Sequence, residues 1–296
     1  MSRYPNATAF RQALELRLLN QARAEPSLPL VRLRKAIAFE ALLRRLLRDR
    51  PNYWLLKGGF ALQLRLGLRT RTTKDIDLRA AGSVDQAEQN LRDAVQHDLD
   101  DFFTFEIGAG TTELMGAPGG GRRIPVRAVL AGRRFEEFHV DLGCGDPVVG
   151  SVQTAAGHPV LEVLGYPVIA LPLYPLATTV AEKLHAYTLP RLTMNMRVRD
   201  LVDLALIMDT CDFDSRELRR ACEATFQTRS THTWPPTFES PPPSWKQSYQ
   251  RLRDETGIRP RTAGVAHEEL VAFLSPMLLG VSAQWDPKAH SWHSDE

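Results

Sequence analysis

The feature that most constrains this chain is an ordered series ending in Asp75-Ile76-Asp77-Leu78. An apolar run, Tyr53–Leu56, leads into Lys57-Gly58-Gly59, then a short segment Phe60–Leu66, the polar loop LRTRTTK, and the two acids, the first of them sixteen residues after Gly59. In a strand, side chains alternate with period two, so Asp75 and Asp77 project from one face. Two parallel carboxylates repel unless a cation lies between them, and their hard oxygens suit Mg²⁺, which also bridges substrate phosphates. The Gly-Gly turn offers backbone N–H groups at a helix start with no side chain to block a phosphate. Lys57 adds a compact positive charge. A D-x-D pair is a short pattern that occurs by chance, and Gly-Gly alone is only a turn. Their order is the specific signal.

Around that series the periodicity predicts two opening helices, near 7–24 and 28–49; the second carries a stripe through Leu33, Ala36, Ile37, Phe39, Leu42 and Leu46. A helix is expected near 84–99. Strands are expected in FTFEIG, IPVRAVLAG and RFEEFHVDLG within 102–142, with a turn signal at Pro118–Gly121. From Leu173 the pattern becomes helical, about 175–188, 197–209, 214–228, 244–255 and 266–280, with a Pro-rich break from Trp234 to Ser244 that reads as an ordered loop or an exposed linker. The fold class is therefore α/β (α+β): a mixed-sheet domain over 1–170, then a helical C-terminal domain over 171–296.

Hydrophobic residues at 43% and charged residues at 24% exclude general disorder, and a net charge of +2 does not advertise nucleic acid. Arginines bunch near Arg32–Arg50 and at 65–71, leaving room for a local basic surface; those at 65–71, just before the acids, read equally as a holder of RNA phosphates and as a basic loop with no partner. Of 37 basic residues only six are lysines (35, 57, 74, 183, 246, 288), so each marks a place where a point charge differs from a guanidinium fork. Three cysteines without C-x-x-C spacing suggest neither zinc nor a disulfide framework. No signal core opens the chain, and prolines break its longest apolar region. A reduced cytoplasm and no membrane are expected.

Further candidates lie on neighbouring elements. In FHVDLG, Asp141 alternates with the apolar residues and fits a third metal carboxylate, against a plain strand-end role. ATTVAEKLHAYT places Glu182, Lys183 and His185 on a helix, and RVRDLVDLALI places Asp200 and Asp203 one turn apart. The bland reading, a solvated face with local salt bridges, is strong for Glu182 and Asp200; His185 reads as a satisfied polar-face histidine. Thr73 and Lys74, directly before the acids, join Lys57, Gly58 and Gly59 as nucleotide-binding candidates. A phosphate on Thr72 or Thr73 would add negative charge beside a triphosphate and block activity.

Together, KGGFALQLRLGLRTRTTKDIDL, EKLHA, RVRDLVDL, TWPPTF and PSW resemble the AbiEii/AbiGii-type nucleotidyltransferase toxins, especially their MenT-like branch, over about residues 30–250. The resemblance implies a polymerase-β-like nucleotidyltransferase domain followed by a helical domain, in a toxin of a bacterial toxin–antitoxin system with a cognate antitoxin. It implies an EC 2.7.7 activity that uses Mg²⁺, as one or two ions, and a nucleoside triphosphate. The acceptor it implies is RNA, the tRNA 3′ end, with aminoacylation and translation blocked. Residue by residue, Lys57, Gly58 and Gly59 match the nucleotide motif, Asp75 and Asp77 the metal carboxylates, Lys183 the lysine of the later helix, and Asp200 with Asp203 the R-D-x-x-D acids. Asp203 is the preferred catalytic member, either orienting Lys183 or activating the acceptor hydroxyl, and the resemblance adds Asp200 to the nucleotide-binding set. Phe60 departs from the pattern, standing where a serine or threonine is usual. Two rivals share these residues: an enzyme that nucleotidylates a protein or small molecule, and a non-catalytic RNA- or protein-binding member of the fold. Joint retention of Lys57, Asp75, Asp77 and Lys183 argues against a pure binder.

Overall fold

The computed structural model describes residues 4–67 and 70–294. They divide into two compact units: one drawn from within 1–68, 72–145 and 153–173, the other from within 69–71, 146–152 and 174–296.

In the first unit, α1 (Ala7–Ala24) starts where the Asn6 side chain accepts the Ala9 N–H at 2.9 Å, and α2 (Leu30–Asp49) buries Leu33, Ile37, Phe39, Leu42 and Leu46. Then come β1 (Trp54–Lys57), α3 (Gly58–Leu66), β2 (Ile76–Ala80), α4 (Val84–Ala94), β3 (Phe103–Ile107), β4 (Thr112–Glu113), β5 (Gly121–Leu130), β6 (Arg133–Gly143), β7 (Gln153–Ala156), α5 (Pro159–Val163) and β8 (Ala170–Leu173). The strands form one mixed sheet in the order β3-β5-β6-β2-β1-β8-β7, with β4 beside β5. Pairs β2·β6 and β1·β8 run parallel, whereas β1·β2, β3·β5 and β5·β6 run antiparallel. Helix α4 ends five residues before the expected limit. The chain leaves it in a turn where Asp98 accepts the Asp100 N–H, and Asp101 is drawn away to Arg45.

That ion pair shows where much of the arginine run goes. Arg45 is fully buried, forks onto Asp101 at 2.8 and 2.7 Å, and donates to the carbonyls of Ala41 and Phe103. Arg34 bonds Glu15 and the Phe135 carbonyl; Arg44 bonds Glu40 and the Pro167 carbonyl. Helix α2 spends these three guanidiniums inside the unit, so they add nothing to a local basic surface. Phe60 is explained in the same way. It is 2% exposed, with its ring 5.1 Å from Phe39, which in turn lies 4.9 Å from Phe138. Position 60 faces the core.

The second unit contains α6 (Leu176–Thr188), α7 (Val198–Met208), β9 (Phe213–Asp214), α8 (Ser215–Arg229), α9 (Lys246–Thr256), α10 (Ala263–Leu279), β10 (Ala283–Asp286) and β11 (Ser291–Ser294). It is mostly helical, as the periodicity predicts, and adds a small antiparallel sheet β11-β10-β9 packed through Phe213, Phe273, Trp285 and Trp292. The Pro-rich break is an anchored loop: Trp245 is buried and its indole N–H donates to the Asn195 carbonyl at 2.6 Å. Among the described residues no helix is long and apolar enough to cross a membrane.

Candidate active site

The register of four adjacent strands builds a charged row in the first unit. Asp77 on β2 stands opposite Lys57 on β1 and opposite Asp141 on β6, and Asp141 stands opposite Arg123 on β5. Directly paired residues share a sheet face, so Lys57, Asp77, Asp141 and Arg123 lie in line across it. Ile76, Leu78 and Ala80 turn to the core on the other face. Asp75 precedes the strand on the face of Asp77. Its Oδ1 accepts the backbone N–H of His139 at 3.2 Å and lies 3.2 Å from His139 Nδ1, while its Oδ2 is 3.6 Å from Arg123.

The glycine turn belongs to this row. Gly58 opens α3 with φ +64°, and a Cβ built there would lie 1.8 Å from Asp77 Oδ2. Only a residue without a side chain lets the carboxylate rest against the backbone at that point. Among the described residues no side chain caps the start of α3, where Lys57 is the N-cap. Gly58→Ala is expected to cost about 1–3 kcal/mol in stability and about a hundredfold in transfer, because the methyl group must displace Asp77. Urea unfolding and initial transfer rates check both effects; an alanine variant with wild-type rates would contradict the close approach.

Arg123 changes the reading of the acids. Its Nε and Nη2 donate to the two oxygens of Asp141 at 2.8 and 2.7 Å, and these bonds raise the guanidinium above its ordinary range. Among the described residues no group of three or more His, Cys, Asp or Glu is arranged to hold a metal ion. Arg123 also lies 3.6 Å from Asp75 Oδ2, so of the three acids Asp141 is the one it forks onto. Asp75 and Asp77 offer the hard oxygen donors that would suit Mg²⁺, which takes only one or two carboxylates from a protein.

In the second unit, the expected helix residues converge. Lys183 Nζ lies 2.7 Å from Asp203 Oδ2 and 3.2 Å from Asp200 Oδ1, and Arg71 forks onto both oxygens of Asp203 at 3.0 Å each. Burial alone would push Lys183 down, but attraction to Asp203 and Asp200 outweighs it and raises the ammonium above its ordinary value. Burial would likewise raise Asp203, yet Lys183 and Arg71 hold it below the usual carboxylate range. A carboxylate so held is a poor proton acceptor and a good anchor. Of the two roles weighed for Asp203, this geometry suits orientation of Lys183.

Other candidates find plainer places. Glu182 lies 3.6 Å from Arg229, which also holds Asp146. His185 is buried beside Thr231, and desolvation lowers it to about 4, so it is a neutral core histidine. Thr73 is buried and its hydroxyl donates to the Asp75 carbonyl at 3.2 Å, whereas Thr72 and Lys74 are exposed. The arginines at 65–71, weighed as a holder of RNA phosphates, are partly committed: Arg71 to Asp203 and Arg65 to Gln153; Arg69 lies outside the described residues. The sequence pattern missed Arg123 and the Arg71–Asp203 fork. Parity in FHVDLG did place His139 with Asp141, though not against Asp75.

The AbiEii family profile, described as nucleotidyl transferase AbiEii toxin of type IV toxin–antitoxin systems, matches residues 4–288. No curated protein sequence matches the chain. Among solved structures, MenT4, a nucleotidyltransferase toxin from Mycobacterium tuberculosis H37Rv, superposes with a TM-score of 0.56 at 18% identity, covering 88% of this chain and 98% of that one. A putative nucleotidyltransferase from H. pylori (13% identity, 82% and 97% coverage) and JHP933 from Helicobacter pylori (13%, 83% and 96%) each reach 0.43, too loose to argue from. The likeness to MenT4 supports a shared nucleotidyltransferase toxin fold. By its match along nearly the whole sequence, the chain belongs to the AbiEii family of nucleotidyltransferase toxins from type IV toxin–antitoxin systems.

Proposed function

We propose that the protein transfers a nucleotide from a nucleoside triphosphate to the 3′ end of an RNA, with tRNA as the acceptor class, and so blocks aminoacylation and translation. The observation that carries the transfer chemistry is the Asp75–Asp77 pair with Asp77 resting against Gly58. The RNA acceptor rests on the family resemblance.

Each residue then has a physical task. The N–H groups of Gly58 and Gly59 receive phosphate oxygens at the start of α3, and Lys57 adds charge there. Asp75 and Asp77 would hold Mg²⁺, which when bound neutralises the triphosphate and the departing pyrophosphate. His139 fixes Asp75 through its backbone N–H, and Arg123 fixes Asp141. In the second unit, Lys183 is assigned neutralisation of phosphate charge, and Asp203, with Arg71, is its positioning residue. Positioning and charge, not covalent work by the protein, dominate such a transfer.

The test is direct. Total RNA is incubated with purified protein, Mg²⁺ and each triphosphate in turn, and RNA 3′ ends are sequenced. Added nucleotides on tRNA 3′ ends, absent with Asp75→Asn, are expected. Unchanged RNA ends with label on a protein or small molecule would overturn the acceptor assignment.

A further inference from the structure

The strand order gives the acid pair two unlike flanks. On the β1 side stand Lys57, Gly58 and Gly59; on the β6, β5 and β3 side a cleft of about 660 Å³ opens, with Asp75, Arg123 and His139 among its lining residues. Its lining also includes the part-exposed Ile107 and Pro125, with Lys74, Glu106, Arg127 and Glu137. We propose that this cleft receives the 3′-terminal nucleoside of the acceptor RNA, so that triphosphate and acceptor approach Asp75 and Asp77 from opposite flanks. The inference rests on RNA being the acceptor and adds where its end sits.

Size, charge and chemistry agree. The volume lies in the range of small-molecule sites, ample for one nucleoside and its phosphate. The cations are mostly spent: Arg123 on Asp141, Arg127 on Glu137 at 2.8 Å and Glu106 at 3.1 Å, and Lys35 on Glu136 at 3.3 Å. Lys74 is exposed and has no hydrogen bond or ion pair among the described residues. One available ammonium suits a single phosphodiester and is too little for a triphosphate, which the glycine flank serves better. Glu106 and Glu137, though paired with Arg127, are exposed and keep acceptor capacity for ribose hydroxyls and base N–H groups, and the part-exposed Ile107 and Pro125 offer a surface for a base. Asp75 lines the cleft, so a terminal hydroxyl held there comes next to the metal-binding carboxylates.

The experiment uses the full chain and a short RNA ending in 4-thiouridine. After irradiation, the crosslinked peptide is located by mass spectrometry, and Glu106→Trp, a change at a side chain 60% exposed, is compared with wild type in initial-rate kinetics. Crosslinks within 105–108 or 124–128 are expected, with KM for RNA raised about tenfold in the variant and KM for the triphosphate unchanged. Crosslinks confined to other segments, or an unchanged KM for RNA, would overturn the assignment. If Glu106→Trp does not fold, the crosslink position alone decides. A crosslink in the cleft on an RNA that is never extended would overturn the proposed function and uphold the docking. Extension with crosslinks elsewhere would do the reverse.

Discussion

Replacing Asp77 by asparagine is expected to lower nucleotide transfer by about a thousandfold or more while the protein stays folded. Asparagine keeps the shape that rests against Gly58 but loses the charge that a divalent ion requires. It also removes the like-charge pairing of Asp77 with Asp141 across β2 and β6, so stability should hold or rise. Initial rates with a labelled triphosphate, measured beside thermal unfolding, separate the two effects. A variant that retained transfer would deny Asp77 its metal role, and one that lost rate only by unfolding would make it structural.

The second large effect concerns Asp203→Ala. Asp203 is 2% exposed, and its two oxygens satisfy Lys183 and Arg71, whose side chains are 11% and 16% exposed. Truncation leaves two nearly buried cations facing each other, with Asp200 beside Lys183, and breaking a buried pair from one side costs about 3–5 kcal/mol. Asp203→Asn should cost less, since it keeps one acceptor oxygen. The pH dependence follows from the shifts. Asp203 is depressed from its ordinary 3.8, so its contribution is present above that value and is lost as pH falls through the lower folded value. Lys183 is raised from its ordinary 10.5, so its contribution is present below that value and is lost as pH rises through the higher folded one. The stability gap between wild type and Asp203→Ala should therefore stay level between about pH 4 and 10 and narrow outside that window. Urea unfolding across pH measures it; a gap under about 1 kcal/mol at neutral pH would contradict the anchoring role.

Much of this was legible before any coordinates because it is local. Helix α2 follows from a periodic stripe, and the β1–α3–β2 passage follows from Gly58-Gly59 between two apolar runs. Parity alone put Asp75 with Asp77, and Asp141 with His139. Register is different. Arg123 meets Asp141 only because β5 and β6 pair with a shift between Ala128 and Val129, and no local pattern encodes that bulge. PGGGRR therefore read only as a turn, although its last arginine holds an acid of the site. The Arg71–Asp203 fork joins residues 132 positions apart, so charge composition left RNA open where the fold supplied a carboxylate. Strands β9, β10 and β11 span two to four residues, too short for an alternating pattern to stand out from the helices around them. Phe60 looked like a gap in a motif. In the fold it is a core ring.

The central claim is that Asp75 and Asp77 grip a divalent cation that the triphosphate shares. Titrating Mn²⁺ into the protein with a non-hydrolysable triphosphate, followed by electron paramagnetic resonance of the free ion, tests it without relying on turnover. Saturable Mn²⁺ binding that needs the triphosphate, and that is lost in Asp75→Asn and Asp77→Asn but kept in Glu106→Trp, is the predicted result. Equal binding in wild type and both asparagine variants would contradict the account.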